Sequence, residues 1–131
     1  MSVEAIIRVF STYCRSIDDG RLDDVAALFA ENGTLTLEAF DVRATGPKAI
    51  RAKFDEITDP SIKGTHASFN HLIDIDGDSA EATADFMLIE FGGLPRILTV
   101  GRYQSRFVRV GAEWKILQWD MELRANAFGS D

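Results

Sequence analysis

The fold is decided by the stretch KGTHASFNHLIDIDGDSAEATADFMLIEF, residues 63–91, in which two long runs of strand-forming side chains flank Asp76-Gly77-Asp78. β-Branched and aromatic residues favour strands, and an Asp-Gly pair between two such runs indicates a hairpin. Two more runs of this kind follow, at about 96 to 110 and 114 to 123, each preceded by a turn that contains glycine. The four runs together predict a meander of antiparallel strands.

The residues before this meander have helical periodicity. Apolar residues recur at helical spacing in the first segment, which should end at Asp18-Asp19-Gly20: Ile6, Ile7, Phe10, Tyr13, Cys14 and Ile17. A second helix is predicted from about Arg21 to Ala30, ended by Glu31-Asn32-Gly33, and a third from Gly46-Pro47 to Asp59-Pro60. Short strands are predicted at Thr34–Leu37 and Val42–Ala44. Helices first and a sheet afterwards predict one α+β domain over residues 1–131.

Charge and composition exclude several classes of function. The chain has 131 residues with a formal net charge of −7, and no cluster of Lys and Arg that would attract nucleic acid or an anionic membrane. No apolar run approaches the ~18 residues of a membrane span. Cys14 is the single cysteine, which is typical of a reducing compartment. We therefore expect a soluble, cytoplasmic protein.

The second long strand predicts a partner subunit. One face of this strand carries Ala80, Ala82, Ala84, Phe86, Leu88 and Glu90. The other face is also apolar near its end, with Met87, Ile89 and Phe91. A strand that is apolar on both faces needs cover on both. Helices can cover one face, and we expect a second copy of the chain to cover the other, in a homodimer formed through the sheet.

The two histidines of the chain are predicted to lie on opposite faces of their strand. Strand alternation groups His66 with Ser68, Asn70 and Leu72, and His71 with the other face. The chain has no further His and only one Cys to complete a zinc or iron site, so we expect no metal. It also lacks a glycine-rich loop that would cradle a phosphate, and we expect no cofactor.

Five residues remain as candidates for chemistry: Tyr13, Asp18, His66, Glu90 and Tyr103. A histidine beside a carboxylate can act as a general base, and Asp18 is the carboxylate we expect beside His66. Tyr13 and Asp18 are about 140° apart on an ideal helix, so they converge only if the chain leaves the helix by Asp18. Each residue also has a purely structural explanation, as a turn residue, core aromatic, strand residue or strand end.

Several segments resemble the SnoaL-like proteins of the nuclear-transport-factor-2-like superfamily. They are Tyr13 to Thr34, Gly46-Pro47-Lys48-Ala49-Ile50, His66 followed by Ile75-Asp76-Gly77-Asp78, and Gly101-Arg102-Tyr103 through Trp114-Lys115-Ile116. The resemblance covers nearly the whole chain. It implies a cone-shaped α+β barrel, in which three N-terminal helices pack on a strongly curved, mostly antiparallel sheet around a deep apolar pocket.

Within this superfamily the pattern is most similar to scytalone dehydratase, the bile acid 7α-dehydratase and hexachlorocyclohexane dehydrochlorinase. Asp18 and His66 are similar in placement to their catalytic Asp–His pair, Tyr13 to a helix tyrosine of the bile acid enzyme, and Glu90 to a further acidic residue there. Scytalone dehydratase has a second pocket histidine, whereas residues 87–91 contain none.

The resemblance implies a cofactor-independent lyase or isomerase. Its substrate would be a small hydrophobic cyclic molecule such as a polyketide, steroid, terpene or aromatic. Asp18, His66 and Tyr13 would be catalytic, with Tyr13 or Tyr103 polarising a carbonyl or protonating a leaving hydroxyl. Substrate would contact Asn70, Phe86, Leu88, Glu90 and Tyr103. The alternatives are a binding or scaffold domain with the same pocket, and a structural dimer module whose pocket is filled by side chains.

Overall fold

A computed structural model describes residues 2–127 as helices packed on one curved sheet. The helices are α1 (Val3–Asp18), α2 (Leu22–Ala26) and α3 (Pro47–Ile57), and the strands are β1 (Phe29–Leu37), β2 (Val42–Thr45), β3 (Gly64–Asp76), β4 (Ser79–Glu90), β5 (Arg96–Val110) and β6 (Glu113–Asn126). The sheet order is β2-β1-β6-β5-β4-β3, with β1 and β6 parallel and the other pairs antiparallel. The predicted α+β class and meander are confirmed. Within residues 2–127 no helix combines the length and apolar character needed to cross a membrane.

Helix α1 ends where its sequence predicts, and both of its ends are capped. The Ser2 hydroxyl accepts a hydrogen bond from the Ala5 amide at 3.2 Å, which caps the N-terminus. At the other end Gly20 has φ +70°. The Arg21 amide donates to the Ser16 carbonyl at 2.8 Å, which closes a Schellman turn. This turn makes Asp18 the last helical residue, at the point where the chain leaves α1.

The helices cover the inner face of the sheet, where an aromatic cluster forms the core. Its members are Phe10, Tyr13, Phe86, Tyr103, Phe107 and Trp119, all buried. The ring of Phe86 stacks on Tyr103 with centroids 4.2 Å apart and planes at 9°. Such pairs are worth about 0.5–1.5 kcal/mol beyond the area they bury. The rings fix how closely α1 approaches β4, β5 and β6.

The predicted second helix is too long. Helix α2 ends at Ala26, and the next residues turn into β1, which begins at Phe29 instead of Thr34. Phe29 is in register with Ile116 of β6, and the Ile116 amide donates to the Leu28 carbonyl at 2.8 Å. Local propensity favours helix here, but pairing with a strand far along the chain decides the structure.

A bulge in β3 reverses the predicted faces beyond Phe69. Asn70 has φ +56°, and the register with β4 shifts between Phe69 and Leu72. Because a bulge adds one residue, every side chain after it moves to the opposite face. His71 therefore lies on the inner face with Ser68, whose hydroxyl is 3.0 Å from the His71 Nε2, and its ring packs against Phe10. The expectation that Asn70 and Leu72 share the face of His66 is wrong.

Replacing Gly101 with alanine should destabilise the protein by about 1–3 kcal/mol, the range typical of overpacking. A Cβ at this position would meet the Glu122 carbonyl oxygen and would lie 2.6 Å from Cε1 of Phe86. Urea unfolding followed by circular dichroism measures the change. Gly93→Ala is the control, because a Cβ there meets no atom within 4 Å, and it should leave the midpoint nearly unchanged. Equal midpoints for the two variants would contradict this account of the core.

Candidate active site

Asp18 and His66 meet at the junction between the end of α1 and the start of β3. The Asp18 Oδ1 lies 2.6 Å from the His66 Nδ1, a short hydrogen bond of the charge-assisted kind. The side chains are 14% and 20% exposed, respectively. Both line the same pocket, so the pairing expected from the sequence is present in the structure.

The Asp18 carboxylate accepts hydrogen bonds from the first residues of β3. The His66 backbone amide donates to both oxygens, at 3.0 and 2.9 Å, and the Thr65 hydroxyl donates to Oδ2 at 3.1 Å. An ionised carboxylate only accepts hydrogen bonds, so the His66 Nδ1 must carry the proton. In a neutral imidazole the lone pair then resides on Nε2, the nitrogen that has no hydrogen bond within residues 2–127.

The pocket has a volume of about 350 Å³ and mostly apolar walls. Its walls come from α1, α3, the end of β1, the 3-10 turn Glu38–Phe40, the segment between α3 and β3, and β3 to β6. The apolar lining residues are Ile17, Leu37, Phe40, Phe54, Ile57, Ile62, Phe86, Leu88, Met121 and Leu123. Tyr13, Asp18, His66 and Thr99 add polar groups, and Asp19 and Asp59 also line it. No Lys or Arg is among the lining residues. A cavity of this size and character suits a small, uncharged ligand.

Tyr13 lines the pocket, although the helix continues to Asp18. Both residues therefore line one cavity although α1 has no break between them, contrary to what their spacing predicted. Burial raises the pKa of Tyr13 far above its ordinary value. The phenol therefore stays protonated, and it can donate a hydrogen bond without giving up its proton.

Two other residues predicted to contact substrate lie outside the pocket lining. Tyr103 is 1% exposed and lies behind Phe86, whose ring separates Tyr103 from the pocket. It supports the wall, and burial raises the pKa of its phenol as well. Glu90 lies at the end of β4, where its Oε1 accepts from the Arg96 Nε at 2.8 Å. Phe86 and Leu88 do line the pocket, as expected.

Asn70 is the clearest miss among the predicted site residues. Its side chain is exposed on the outer face of the sheet, where its amide donates to the Asp85 Oδ2 at 2.9 Å. The bulge at this residue turns it away from His66. Strand alternation in the sequence gives no sign of the extra residue in a bulge, so it assigned Asn70 to the wrong face.

The sequence also left several site residues unassigned. Thr65 contacts the Asp18 carboxylate, and Met121 and Leu123 of β6 line the pocket. Met121 pairs with Leu37 and Tyr103 across the sheet, so its position depends on partners from distant segments. Thr65 could have been found from the sequence, because it is adjacent to His66.

A second and larger cavity, about 750 Å³, is a groove on the outer face of the sheet. Polar side chains line much of it, among them Thr34, Thr36, Arg43, Gln118 and Asp120. It is separated from the Asp18–His66 pair by the sheet. Within residues 2–127 no three His, Cys, Asp or Glu side chains gather as a set of metal ligands. The smaller, apolar pocket is therefore the candidate active site.

The fold is shared with several solved structures. An NTF2-like protein with a cystatin-like fold from Novosphingobium aromaticivorans is 22% identical, with a TM-score of 0.83, over 92% of this chain and 80% of that one. A candidate scytalone dehydratase from the same organism is 23% identical, with a TM-score of 0.79, over 93% and 83% of the two chains. ActVI-ORFA from Streptomyces coelicolor is 15% identical, with a TM-score of 0.81, over 92% and 96%.

No curated protein matches the sequence. At these identities the solved structures show a common fold and nothing further about this chain. The family model of the SnoaL-like domain matches residues 2–120. This range includes all the residues that line the pocket except Met121 and Leu123. The resemblance of the sequence to this family is therefore confirmed, and the chain belongs to the SnoaL-like family.

Proposed function

We propose that the protein is a cofactor-independent lyase or isomerase that removes a proton from a small hydrophobic cyclic substrate. The observation that carries the proposal is the 2.6 Å contact between the Asp18 Oδ1 and the His66 Nδ1 inside an apolar pocket. A ligand carrier needs the cavity but has no need of an oriented imidazole. A structural module would fill the cavity with side chains, and about 350 Å³ is open.

In this proposal His66 is the general base. Its Nε2 takes a proton from a carbon next to a carbonyl, and the Asp18 carboxylate stabilises the resulting imidazolium. Tyr13 donates a hydrogen bond to the carbonyl oxygen, where negative charge develops. The pKa of Tyr13 is raised by burial, so it polarises the carbonyl without ionising.

The proton can then follow one of two routes. If the substrate carries a β-hydroxyl, the C–O bond breaks, the imidazolium proton joins the leaving oxygen, and a double bond and water are formed. If it instead carries a carbon–carbon double bond beside the deprotonated carbon, the imidazolium returns the proton to the far end of that double bond, which moves into conjugation with the carbonyl. In both routes His66 ends neutral and no electrons are exchanged with another molecule, so the cycle closes without a cofactor.

The walls of the pocket indicate the class of substrate. Its lining contains three aspartates and no Lys or Arg, so a carboxylate or phosphate would find no cationic partner. The volume lies near the lower end of the roughly 300–1,000 Å³ typical of ligand pockets. A neutral ring system, such as a small polyketide, a terpene or an aromatic ketone, fits these limits.

Replacing His66 with glutamine should abolish proton exchange at the α-carbon of cyclic ketones and β-hydroxy ketones, measured by NMR in deuterated buffer. General base catalysis is worth about 10²- to 10⁴-fold, and glutamine cannot accept the proton. His71→Gln is the matched control, because His71 contacts Ser68 and Phe10 and does not line the pocket. It should retain activity. Exchange that persists in the His66 variant, with unchanged folding, would sink the proposal.

Asp18→Asn should lower kcat by about 10²- to 10⁴-fold with a smaller effect on KM. An asparagine cannot offset the charge of the imidazolium, and its amide hydrogens would face donors from Thr65 and His66. Steady-state kinetics on the best ketone of the panel measures the change, and Asp19→Asn is the control. Asp19 also lines the pocket, but no contact joins it to His66. Equal losses in the two variants would show that Asp18 has no special role.

We also propose that two copies associate through the outer face of the sheet. Met87 lies on that face of β4, in register with Ala67 of β3 and Val100 of β5, and all three are only partly covered within one chain. Burial of such a patch against a second copy would remove apolar area from water.

Met87→Lys should therefore convert a dimer into a monomer in sedimentation velocity at micromolar concentrations. Val3→Lys is the control, because Val3 is an exposed apolar residue on α1, away from the outer sheet face. It should leave the dimer intact. A monomeric parent protein at these concentrations would overturn this part of the proposal.

A further inference from the structure

The indole N–H of Trp119 is a buried donor without a regular hydrogen bond. The side chain is 0% exposed, and its Nε1 has no partner of good geometry within residues 2–127. Buried donors are almost always satisfied, because leaving one unpaired is costly. Trp114, the other tryptophan, has no such unpaired nitrogen among the described residues. An orphan donor in the middle of a packed core calls for a functional explanation.

The ring of Trp119 lies directly beside the tyrosine of the pocket. Its centroid is 4.6 Å from that of Tyr13, at an interplanar angle of 41°. The unpaired N–H therefore belongs to the ring that packs against Tyr13, and a small adjustment of the two rings would bring it to the Tyr13 oxygen.

The proton of the Tyr13 hydroxyl is held by a weak acceptor. It points to the Met121 sulfur at 3.5 Å, and a thioether accepts hydrogen bonds poorly. Met121 lines the same pocket as Tyr13. A carbonyl or hydroxyl oxygen is a much better acceptor, so a ligand that placed one here would displace the sulfur as the partner of the hydroxyl.

We propose that Trp119 is a positioning residue that completes a subsite for a ligand oxygen at Tyr13. Its N–H donates to the Tyr13 oxygen, which leaves the hydroxyl proton free for the ligand. Donation to an oxygen strengthens that group as a donor, because hydrogen bonds in a chain polarise one another. The subsite rests on the proposed function in that it would hold the carbonyl whose neighbouring carbon His66 deprotonates.

Paired ligands test the subsite through binding alone. 1-Tetralone and tetralin share a ring skeleton and differ by one carbonyl oxygen, and calorimetry or NMR titration gives a Kd for each. The ratio of the two Kd values reports the subsite, since a general loss of packing weakens both ligands alike. One hydrogen bond to the ketone oxygen predicts that the ratio shifts against the ketone by about two- to tenfold when the donor is removed.

Tyr13→Phe should shift the ratio against the ketone by the full amount, and Trp119→Phe should shift it by part of that amount. Trp114→Phe is the matched control: Trp114 is also a buried tryptophan of β6, but no ring contact joins it to Tyr13. It should keep the ratio of the parent protein. A ratio that Tyr13→Phe or Trp119→Phe leaves unchanged would overturn the proposal.

A second measurement avoids the risk that Trp119→Phe fails to fold. In the Trp114→Phe background, biosynthetic incorporation of 5-fluorotryptophan alters only Trp119 and makes its N–H a stronger donor. The ratio should then rise, and an unchanged ratio overturns the proposal. Neither measurement depends on His66. An unchanged Kd ratio would therefore overturn the subsite but not general base catalysis by His66. Activity in His66→Gln would overturn general base catalysis but not the subsite.

Discussion

The Asp18 carboxylate joins the end of helix α1 to the start of strand β3, and the rest of the site depends on this junction. It accepts from the His66 ring, the His66 amide and the Thr65 hydroxyl. A buried carboxylate is costly without such partners, and here two of the three come from the backbone and ring of the residue it orients. The interaction that docks the helix therefore also sets the tautomer of the histidine. The Asp18 carboxylate therefore contributes both to the packing of α1 on β3 and to the proposed chemistry.

The shape of the pocket follows from departures from regular strand geometry. Gly101 lets Phe86 lie against β5, and the Phe86 ring then stacks on Tyr103 and forms a wall of the cavity. The bulge at Asn70 bends β3 and brings His71 under α1, beside Phe10. Bulges increase local twist, and a strongly curved sheet leaves a cavity between its inner face and the helices.

The sequence predicted what depends on local patterning. The end of α1, the start of α3 at Pro47 and the meander of four strands all follow from periodicity, caps and turns. It failed where distant pairing decides: β1 begins at Phe29 because Ile116 lies beside it, and Gly33 approaches the Ile116 carbonyl so closely that a Cβ would be 2.7 Å away. Asn70 was misplaced because alternation cannot show a bulge. The pairing of Asp18 with His66 was expected mainly through resemblance, since a separation of 48 positions carries no spacing signal.

The central claim is that Asp18 holds the neutral His66 ring with its proton on Nδ1 and its lone pair on Nε2. Nitrogen-15 NMR of histidine-labelled protein reads directly which ring nitrogen carries the proton. The account predicts that His66 is protonated at Nδ1, with a proton resonance at low field that is lost in Asp18→Asn. A His66 protonated at Nε2, or a spectrum that the Asp18 variant leaves unchanged, would contradict it.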